Sequence, residues 1–411
     1  MAGQIYSDGN GQGGFTLRLA ENLAKQGHQV RMLIPSNHKY SYSVTTNDVQ
    51  VEKIAAIHMS LIHPAVYVTP WPSTRVKKIL QDFAPDIVHI QDHYFLSQSV
   101  AHEARRRSTT LIGTNHFLPE NLLPFLIRSP WFRNLAGLIL WKIMLSVFNQ
   151  LDAATTPSHA AAEILRSQNI HFPVYEISNG VDTARFAFDP KVDRQSIRRK
   201  YGLATDKTIF LYVGRLDGEK RVDILVQAVS ELPQTNFQLA IVGDGLQAHA
   251  LRHQAHHLGI EDKILFLGYV PAADLPALYM SADIFAMPSS AELQSIATLE
   301  AMGCGKPVLA ANARALPELV EHKVNGYLFE SDNATDAAYW MNEFLERPED
   351  WAAMGKEGIV RSQSHSLNNT IQAYEECYQT VIENRAGVQK PVVAQGMKIL
   401  DPYTPKKIVK S

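Results

Sequence analysis

The chain has 411 residues, which at roughly 100–200 residues per domain predicts two or three domains and excludes a single small module. Lys and Arg number 39 and Asp and Glu number 41, so a main role in binding nucleic acid or another polyanion is disfavoured. The two cysteines, Cys304 and Cys377, are too few for a disulfide framework and favour a reducing cytoplasm.

Two segments bear on export and membrane insertion. Residues 1–14 lack the basic start and the apolar run of a signal peptide, so they do not predict export. The most apolar stretch, residues 135–148, is shorter than the ~20 residues that cross a bilayer, and it contains Lys142. The sequence therefore predicts no membrane span there.

Short aliphatic and β-branched runs alternate with helical patterns along the chain, which predicts parallel sheets covered by helices. The runs are QVRMLIP, DIVHI, TLIGTNH and DAATTP, then TIFLYVG, FQLAIVG, KILFLGY, DIFAMP and KPVLAAN. A polar segment at residues 189–202 separates the two groups. We predict an α/β chain with two doubly wound, Rossmann-like domains facing each other across a cleft, at residues 1–185 and 205–360. A C-terminal helix at 361–385 and a tail at 386–411 follow.

Ligands of open parallel sheets bind beyond the carboxyl ends of the strands, so chemistry is expected just after each strand. Arg215 and Lys220 follow the strand TIFLYVG, and two cations at that point are suited to a diphosphate. An alternative is that Arg215 pairs with Asp217 or Glu219, with Lys220 as a solvated residue at the start of a helix.

A second pattern follows the strand DIFAMP. Glu292 lies in the loop, and Glu300 lies eight positions later on a helix predicted to start near Ser295. Eight helical residues span ~12 Å, comparable to the distance from a nucleotide's ribose to the sugar on its far phosphate. Backbone N–H groups at the helix N-terminus, those of Gln294, Ser295 and Ile296, favour an anionic diphosphate. A capping carboxylate and a solvated Glu are the structural alternative.

These motifs resemble those of glycosyltransferase family 4, retaining enzymes of the GT-B fold that use nucleotide sugars, and the resemblance covers nearly the whole chain. The matching residues are Gly13, Gly14, SNGVD at 178–182, Gly214, Arg215, Lys220, VGDG at 242–245, Glu292 to Glu300, LPELV at 316–320 and NGYLF at 325–329. The resemblance implies a hexosyltransferase that has a nucleotide sugar as its substrate and needs no cofactor.

By this resemblance, Arg215 and Lys220 neutralise the diphosphate as negative charge grows on it. Glu292 contacts hydroxyls of the donor sugar, and Glu300 holds the ribose hydroxyls. Glycines let the N-terminal loop approach the phosphate and sugar, and the segment LGYV lines the base pocket through its backbone. The implied donor-binding residues are Gly13, Gly14, Gly214, Gly268, Tyr269, Val270, Gln294, Ser295, Ile296 and Glu300.

His116 follows the strand TLIGTNH, and the resemblance implies that it lies beside the reacting sugar, facing the cleft. We assign it a substrate-positioning role among the catalytic residues, which also include Arg215, Lys220 and Glu292. A buried structural histidine is the alternative. Asp92 and His93, after DIVHI, are further candidates for the same wall.

Metal dependence is not predicted. No Asp-x-Asp pair occurs in the chain, and the only cluster of three histidines within five residues is HQAHH at 253–257. That motif lies in a predicted helix and is interpreted as a polar helix face.

The segment after His116 mixes aromatic and basic residues, a composition suited to a membrane interface. These residues are Trp131, Phe132, Trp141, Arg128, Arg133 and Lys142. A helix core with a solvated basic edge is the alternative. GTNHFLPENL resembles the branch of the family that glycosylates diacylglycerol. We therefore expect a cytoplasmic protein, in peripheral contact with the inner face of the membrane, that transfers glucose from UDP-glucose to a lipid acceptor.

The start of the chain departs from the family, whose members begin with an apolar strand before the glycine-rich loop. Here only residues 1–7 precede Asp8, and Ile5 and Tyr6 alone suit a strand. We interpret the first strand as missing or truncated, either because the start codon was assigned late, which we favour, or because the chain is a shortened form. Loss of that strand would expose two strand edges, and it would put activity in doubt if the chain as given is the real product. Ser295 stands where the family frequently has Gly.

Other functions remain open from the sequence. Within the same family, the acceptor is alternatively phosphatidylinositol, a polysaccharide or a small molecule. A sugar-nucleotide epimerase of the same architecture would need no acceptor, and a non-catalytic nucleotide-sugar-binding protein would accord with a truncated start.

Overall fold

The computed structural model describes residues 1–3, 11–59, 67–70, 72–116, 130–387 and 398–400. The chain divides into two compact units, Asn179–Asn369 and Met1–Ser178 together with Thr370–Ser411. The boundary lies earlier than the sequence predicts, because Val181 and Phe186 are buried in the hydrophobic core of the second unit. Of the predicted tail at 386–411, the structure describes only residues 386–387 and 398–400.

The first unit is built on a mainly parallel sheet. Its strands up to the boundary are β1 (Arg31–Pro35), β2 (Tyr42–Thr46), β3 (Val49–Ile54), β6 (Ile87–Ile90), β7 (Thr110–Thr114), β8 (Ala153–Thr156) and β9 (Val174–Glu176), and a small hairpin adds β4 (Ile57–His58) and β5 (Tyr67–Val68). β1 pairs in parallel with β3, and β6 to β9 pair in parallel in chain order. The four predicted strands of this half are confirmed, and β2, β3 and β9 were not predicted.

Ala2 lies between β1 and β6. It forms parallel bridges with Leu33 of β1 and Ile90 of β6. Its N–H donates to the carbonyl of His89 at 2.9 Å, and its carbonyl accepts from the N–H of Gln91 at 2.8 Å. The strands of the first unit therefore form one continuous sheet through this residue.

This pairing corrects one expectation from the sequence. The facing edges of β1 and β6 are not left open, because residues 1–3 supply backbone donors and acceptors to both. The amino group of Met1 donates to the carbonyl of Arg31 at 2.7 Å, and burial lowers the pKa of that amino group to about 5. Ile5 and Tyr6, the two residues whose side chains alone suit a strand there, lie outside the described residues.

Helices cover this sheet. They are α1 (Gly11–Lys25), α2 (Ser73–Phe83), α3 (Phe95–Arg106), α4 (Pro130–Phe148) and α5 (His159–Arg166). Gly13 and Gly14 lie in the first turn of α1, so their predicted place in a loop is wrong. The reason is the apolar spacing that follows them, which buries Phe15, Leu19 and Leu23 on one helix face.

The second unit contains a six-stranded parallel sheet in the order β12–β11–β10–β13–β14–β15. The strands are β10 (Thr208–Val213), β11 (Phe237–Val242), β12 (Ile264–Gly268), β13 (Ile284–Met287), β14 (Val308–Ala311) and β15 (Gly326–Phe329). The five predicted strands of this half are confirmed, and β15 was not predicted. The strand order reverses between β10 and β13, which is the switch point where ligands bind in such sheets.

Helices also cover the second sheet. They are α6 (Arg194–Tyr201), α7 (Val222–Glu231), α8 (Ala248–His257), α9 (Leu275–Ser281), α10 (Ile296–Gly303), α11 (Leu316–Leu319), α12 (Ala334–Glu346) and α13 (Trp351–Ser364). The core between the layers is aromatic and aliphatic, with Phe210, Phe237, Phe285 and Phe329 fully buried. Such a core stabilises the unit by removing apolar area from water.

A last helix, α14 (Leu367–Arg385), and a short strand, β16 (Lys398–Leu400), end the described chain. β16 pairs antiparallel with β9. The hydroxyl of Tyr374 on α14 lies 3.3 Å from Thr114 Oγ1 and 3.2 Å from Thr155 Oγ1, and the hydroxyl of Tyr378 lies 2.8 Å from His89 Nδ1. The predicted helix at 361–385 is therefore two helices, and most of the second belongs to the first unit.

Candidate functional site

The switch point of the second sheet brings together two predicted residues from different loops. Lys220 follows β10 at the end of a short 3₁₀ turn, Gly218–Lys220, and Glu292 follows β13. Lys220 Nζ lies 2.6 Å from Glu292 Oε1, and the Glu292 side chain is buried. The buried carboxylate of Glu292 thus has a cationic hydrogen-bond partner, as a charge removed from water requires.

Arg215 lies in the same loop, but its guanidinium contacts acidic neighbours. It donates to Asp217 Oδ2 and, at 2.9 Å, to Glu219 Oε1. The structure therefore contains the pairing that the sequence offered as the alternative for Arg215. The matching alternative for Lys220, a solvated residue, is wrong, because Lys220 is mostly buried against Glu292.

The helix after Glu292 starts where the sequence predicts. α10 begins at Ile296, and its N-cap is Ser295, whose Oγ accepts from the N–H of Thr298 at 3.3 Å. Glu300, on α10, accepts a hydrogen bond at Oε2 from the Tyr279 hydroxyl at 3.0 Å. Burial, followed by the charge of Glu300, raises the pKa of Tyr279 well above its usual value, so this hydroxyl stays a donor.

Gln294, between Glu292 and the helix, has a role that the sequence did not indicate. Its side-chain Oε1 accepts from the N–H of Asn179 at 2.8 Å. The hydrogen bond ties the loop after β13 to the first residue of the second unit. Because the two residues are 115 positions apart, no local sequence pattern predicts this contact.

The predicted base pocket follows β12. Gly268 ends that strand with φ +67°, a left-handed conformation that side chains other than Gly rarely adopt, and Val270 is buried while Tyr269 is exposed. Gly243, in the motif VGDG, has φ +128°, and a Cβ there would lie 1.9 Å from the carbonyl oxygen of Gly214. Gly214 and Gly243 therefore pack backbone against backbone beside the switch point.

In the first unit, His116 comes directly after β7. A ring nitrogen, Nε2, lies 2.9 Å from Gln91 Oε1, and the ring packs edge-on against Phe15 with centroids 5.0 Å apart. Burial lowers the pKa of His116 to about 3, so the ring is neutral at physiological pH. The neutral ring donates from Nε2 to Gln91, which leaves Nδ1 as an acceptor. Gln91 is a partner that the sequence did not single out.

The two further candidates beside His116 have structural surroundings. Asp92 Oδ1 accepts from Ser97 Oγ at 2.6 Å and from the N–H of Tyr94 at 3.1 Å, which stabilises the start of α3. The His93 ring packs on Tyr94 with centroids 4.4 Å apart, and burial lowers the pKa of His93. Both side chains therefore have structural partners, and their place beside the acceptor stays a prediction.

The predicted membrane-facing segment is described only in part. Residues 117–129 and the side chains of Trp131 and Arg133 lie outside the described residues. Trp141 is buried, so its predicted place on a membrane-facing surface is wrong. Among the side chains of α4 that the structure describes, the exposed ones are mostly apolar. They are Phe132, Leu135, Leu138, Ile139 and Ile143, together with Lys142 and Ser146.

The part of the chain that the structure describes contains neither a membrane-spanning helix nor a cluster of metal ligands. No helix in the ranges that the structure describes is both long and apolar enough to cross a bilayer. Within the same ranges, no three His, Cys, Asp or Glu side chains are grouped so that they could hold a metal ion. The predicted independence from metal stays a prediction.

Family models match both halves of the chain. The model described as Glycosyltransferase Family 4 matches residues 9–185, and the model described as Glycosyl transferases group 1 matches residues 193–361. The two matches follow one another along the chain with a short gap between them. Each match falls mainly within one of the two α/β units.

Two curated proteins illustrate the range of relatives. A GDP-mannose-dependent alpha-(1-6)-phosphatidylinositol monomannoside mannosyltransferase of Mycolicibacterium smegmatis is 36% identical over 188 residues, 44% of this chain and 49% of that protein. An alpha-monoglucosyldiacylglycerol synthase of Streptococcus pneumoniae is 23% identical over 322 residues, 76% of this chain and 70% of that protein.

A solved structure shares the fold. Anabaena HepE in complex with UDP-glucose superposes with a TM-score of 0.73 at 20% identity, covering 92% of this chain and 98% of that one. The likeness extends over both units, so the α/β architecture predicted from the sequence is confirmed as the GT-B fold. With both family models matched in chain order, the protein belongs to the family 4 and group 1 glycosyltransferases.

Proposed function

We propose that this glycosyltransferase transfers a hexose with retention of configuration, specifically glucose from UDP-glucose, to a lipid acceptor such as diacylglycerol. The observation that carries the donor half is the Lys220–Glu292 pair at the switch point, beside the N-terminus of α10. In this site the nucleotide sugar is the substrate, and no metal or other cofactor takes part.

In this proposal the donor diphosphate lies between the side chains of Lys220 and Arg215 and the positive end of the α10 dipole. Lys220 and Arg215 take the negative charge that develops on the diphosphate as the bond to the anomeric carbon breaks, which stabilises the transition state. The N–H groups at the start of α10 add partial positive charge. Protein cations thus supply the neutralisation that a metal ion supplies at other phosphate sites.

The two ends of the donor are held by carboxylates. Glu292, paired with Lys220, accepts hydrogen bonds from the sugar hydroxyls. Glu300 accepts from the ribose hydroxyls, and the Tyr279 hydroxyl fixes its carboxylate. The backbone at Gly268–Val270 lines the base. His116 positions the reacting sugar through its neutral ring, whose orientation Gln91 fixes.

The lipid acceptor is supported by α4. Its exposed apolar side chains, with Lys142 among them, have the chemistry of a helix that lies in the headgroup region of a membrane. The name of the Streptococcus pneumoniae relative also refers to a glucosylated diacylglycerol. We therefore place the protein in the cytoplasm, in peripheral contact with the inner face of the membrane.

A second candidate is transfer of mannose from GDP-mannose to a phosphatidylinositol-type lipid. It is favoured by the Mycolicibacterium smegmatis relative, whose 36% identity exceeds that of the diacylglycerol enzyme over a shorter stretch. Donor and acceptor differ between the candidates, whereas the roles of Lys220, Glu292 and Glu300 are the same. An epimerase, which needs no acceptor, or a non-catalytic nucleotide-sugar-binding protein would use only the residues that bind the donor.

The test supplies each labelled donor, UDP-glucose or GDP-mannose, together with membrane lipid extract. Label in the organic phase with UDP-glucose supports the proposal, and label only with GDP-mannose supports the second candidate. Label confined to water-soluble material would contradict a lipid acceptor. Isomerised donor without acceptor would indicate an epimerase, and donor binding without turnover would indicate a binding protein. Glu292→Gln, which keeps the side-chain shape, is the matched inactive control.

A further inference from the structure

Arg215 and Lys220, the two cations predicted to hold the diphosphate, are both paired with carboxylates in the structure. Arg215 contacts Asp217 and Glu219, and Lys220 contacts Glu292. Two cations thus face three carboxylates, an excess of one negative charge at the place where a dianionic or trianionic ligand is proposed to bind. A diphosphate that takes Arg215 must therefore displace carboxylates that belong to the protein.

The partners of Arg215 are held far more firmly than Arg215 itself. The Arg215 side chain is 60% exposed, whereas those of Asp217 and Glu219 are 12% and 15% exposed. Asp217 Oδ1 also accepts from the N–H of Leu246 at 3.2 Å, and the carbonyl of Glu219 accepts from Ser289 Oγ at 3.2 Å. The guanidinium is therefore the group that is free to exchange partners.

Glu219 has a further feature that sets it apart from a surface ion-pair partner. Its second carboxylate oxygen, Oε2, is buried and has no hydrogen-bond partner in the structure. A buried carboxylate oxygen without a hydrogen-bond partner destabilises the folded state, and such groups often have a functional role. With Arg215 drawn away by a ligand, Glu219 would lose its cation and would repel a neighbouring phosphate.

We propose that Asp217 and Glu219 are internal counter-ions that compete with the ligand diphosphate for Arg215, and that Glu219 thereby limits how tightly the nucleoside diphosphate product is held. This inference rests on the proposed function, because it concerns the same diphosphate site. This competition weakens the binding of product and donor alike. It also speeds the release of the product, a step that limits turnover in many enzymes that close around a substrate.

The experiment measures binding of UDP, GDP and ADP to the full chain by titration calorimetry, and then repeats the titration of the tightest of them with Glu219→Gln. We expect about tenfold tighter binding at low ionic strength, with a smaller gain at high salt because solvent ions screen the removed charge. The dissociation rate, measured by displacement in a stopped-flow instrument, falls in parallel. Binding of the corresponding nucleoside without phosphates stays unchanged, which separates charge competition from a change in the base pocket.

A matched control comes from α12. Glu343 forms an i, i+4 ion pair with Arg347, as Glu219 does with Arg215, and the two Glu side chains are similarly exposed, 18% and 15%. Glu343→Gln therefore removes an equivalent charge far along the chain and is expected to leave diphosphate affinity unchanged. Asp217→Asn, which keeps the acceptor oxygen for Leu246, is the second variant if Glu219→Gln unfolds.

The outcomes separate the two proposals. Unchanged or weaker diphosphate binding in the folded Glu219→Gln or Asp217→Asn variant overturns the counter-ion role and leaves the proposed function intact. Failure of the wild-type chain to bind any of the three nucleoside diphosphates overturns the proposed function, and the counter-ion role with it. Equal tightening by Glu343→Gln also overturns the counter-ion role, since the effect would then be one of net charge.

Discussion

Lys220 Nζ lies 2.6 Å from Glu292 Oε1, and the two residues are 72 positions apart in the chain. The contact joins the loops that follow two neighbouring strands, β10 and β13. Each partner stabilises the charge of the other in a largely buried place, so neither is replaced without leaving an uncompensated charge. Substitutions here therefore alter both charge and position.

Lys220→Ala is expected to lower turnover more than donor affinity, because the negative charge that Lys220 opposes grows as the glycosidic bond breaks. A loss of about 10²–10³ in kcat, with a several-fold change in donor Kd, is the expected size. Steady-state kinetics and calorimetric titration with the donor measure the two quantities. Equal losses in kcat and in affinity would contradict this order.

Glu300→Ala is expected to weaken donor binding by about tenfold, because the ribose hydroxyls lose a charged acceptor. Tyr279→Phe keeps the ring and removes only the hydroxyl that donates to Glu300, so it is expected to have a smaller effect in the same direction. Thermal shift against donor concentration measures both variants. Donor affinity unchanged in Glu300→Ala would argue for a purely structural carboxylate.

Stability is expected to fall as the pH is lowered from about 6.5 towards 3. Burial lowers the pKa of His116 to about 3, below its value in the unfolded chain. Between these two pKa values the unfolded chain binds a proton that the folded chain does not, so the free energy of unfolding falls as the pH is lowered. One such group contributes a slope of at most about 1.4 kcal/mol per pH unit. His89, whose pKa burial also lowers, adds to it.

Urea unfolding at several pH values measures this slope. His116→Gln is expected to reduce the pH dependence of the free energy of unfolding by the contribution of one bound proton. His257 is an exposed histidine on α8, and His257→Gln is expected to leave that dependence unchanged. Equal slopes in wild type and His116→Gln would contradict the effect of burial on His116.

Gly243→Ala is expected to destabilise the second unit by about 2–4 kcal/mol, because the new Cβ would overlap the Gly214 carbonyl and the backbone has φ +128°. Gly259→Ala is the matched control. Its φ is +65° and nothing lies within 4 Å of the added Cβ, so only about 1 kcal/mol of backbone strain is expected. Denaturant midpoints compare the two variants, and equal midpoints would refute the overlap.

Replacing Leu138 and Ile139 with Ser is expected to reduce binding to vesicles that contain phosphatidylglycerol by tenfold or more, because two exposed apolar side chains of α4 would no longer enter the interface. Val360→Ser changes an equally exposed apolar side chain on α13 and serves as the control. Flotation of vesicles with bound protein measures the effect. Equal vesicle binding in all three proteins would remove the support that α4 gives to a lipid acceptor.

The sequence predicted the central strands because both of their faces are covered, which makes each one a continuous apolar run. β3 escaped prediction because VQVEKI includes polar residues, and β15 because GYLF is short and begins with Gly. Gly13 and Gly14 were assigned to a loop by the family resemblance, whereas the apolar spacing after them extends α1 over both. The packing of this chain's own apolar residues therefore outweighs the carried-over assignment.

The sequence identified individual residues of the candidate site, but it did not predict which of them contact one another. The start of α10 at Ser295 follows from local capping chemistry, and the sequence sufficed for it. The contacts between Lys220 and Glu292 and between Asn179 and Gln294 depend on strand order, which places distant loops side by side. Gln91, the partner of His116, was missed for the same reason.

The return of α14 to the first unit has a consequence for biosynthesis. Asn179–Asn369 is an uninterrupted segment, so it can fold on the ribosome as soon as it emerges. Tyr374 and Tyr378, which hydrogen-bond to buried groups of the N-terminal sheet, are translated only afterwards. The first part of the chain to leave the ribosome is thus completed last, and a nascent chain stalled before α14 would leave Thr114, Thr155 and His89 without these tyrosine partners.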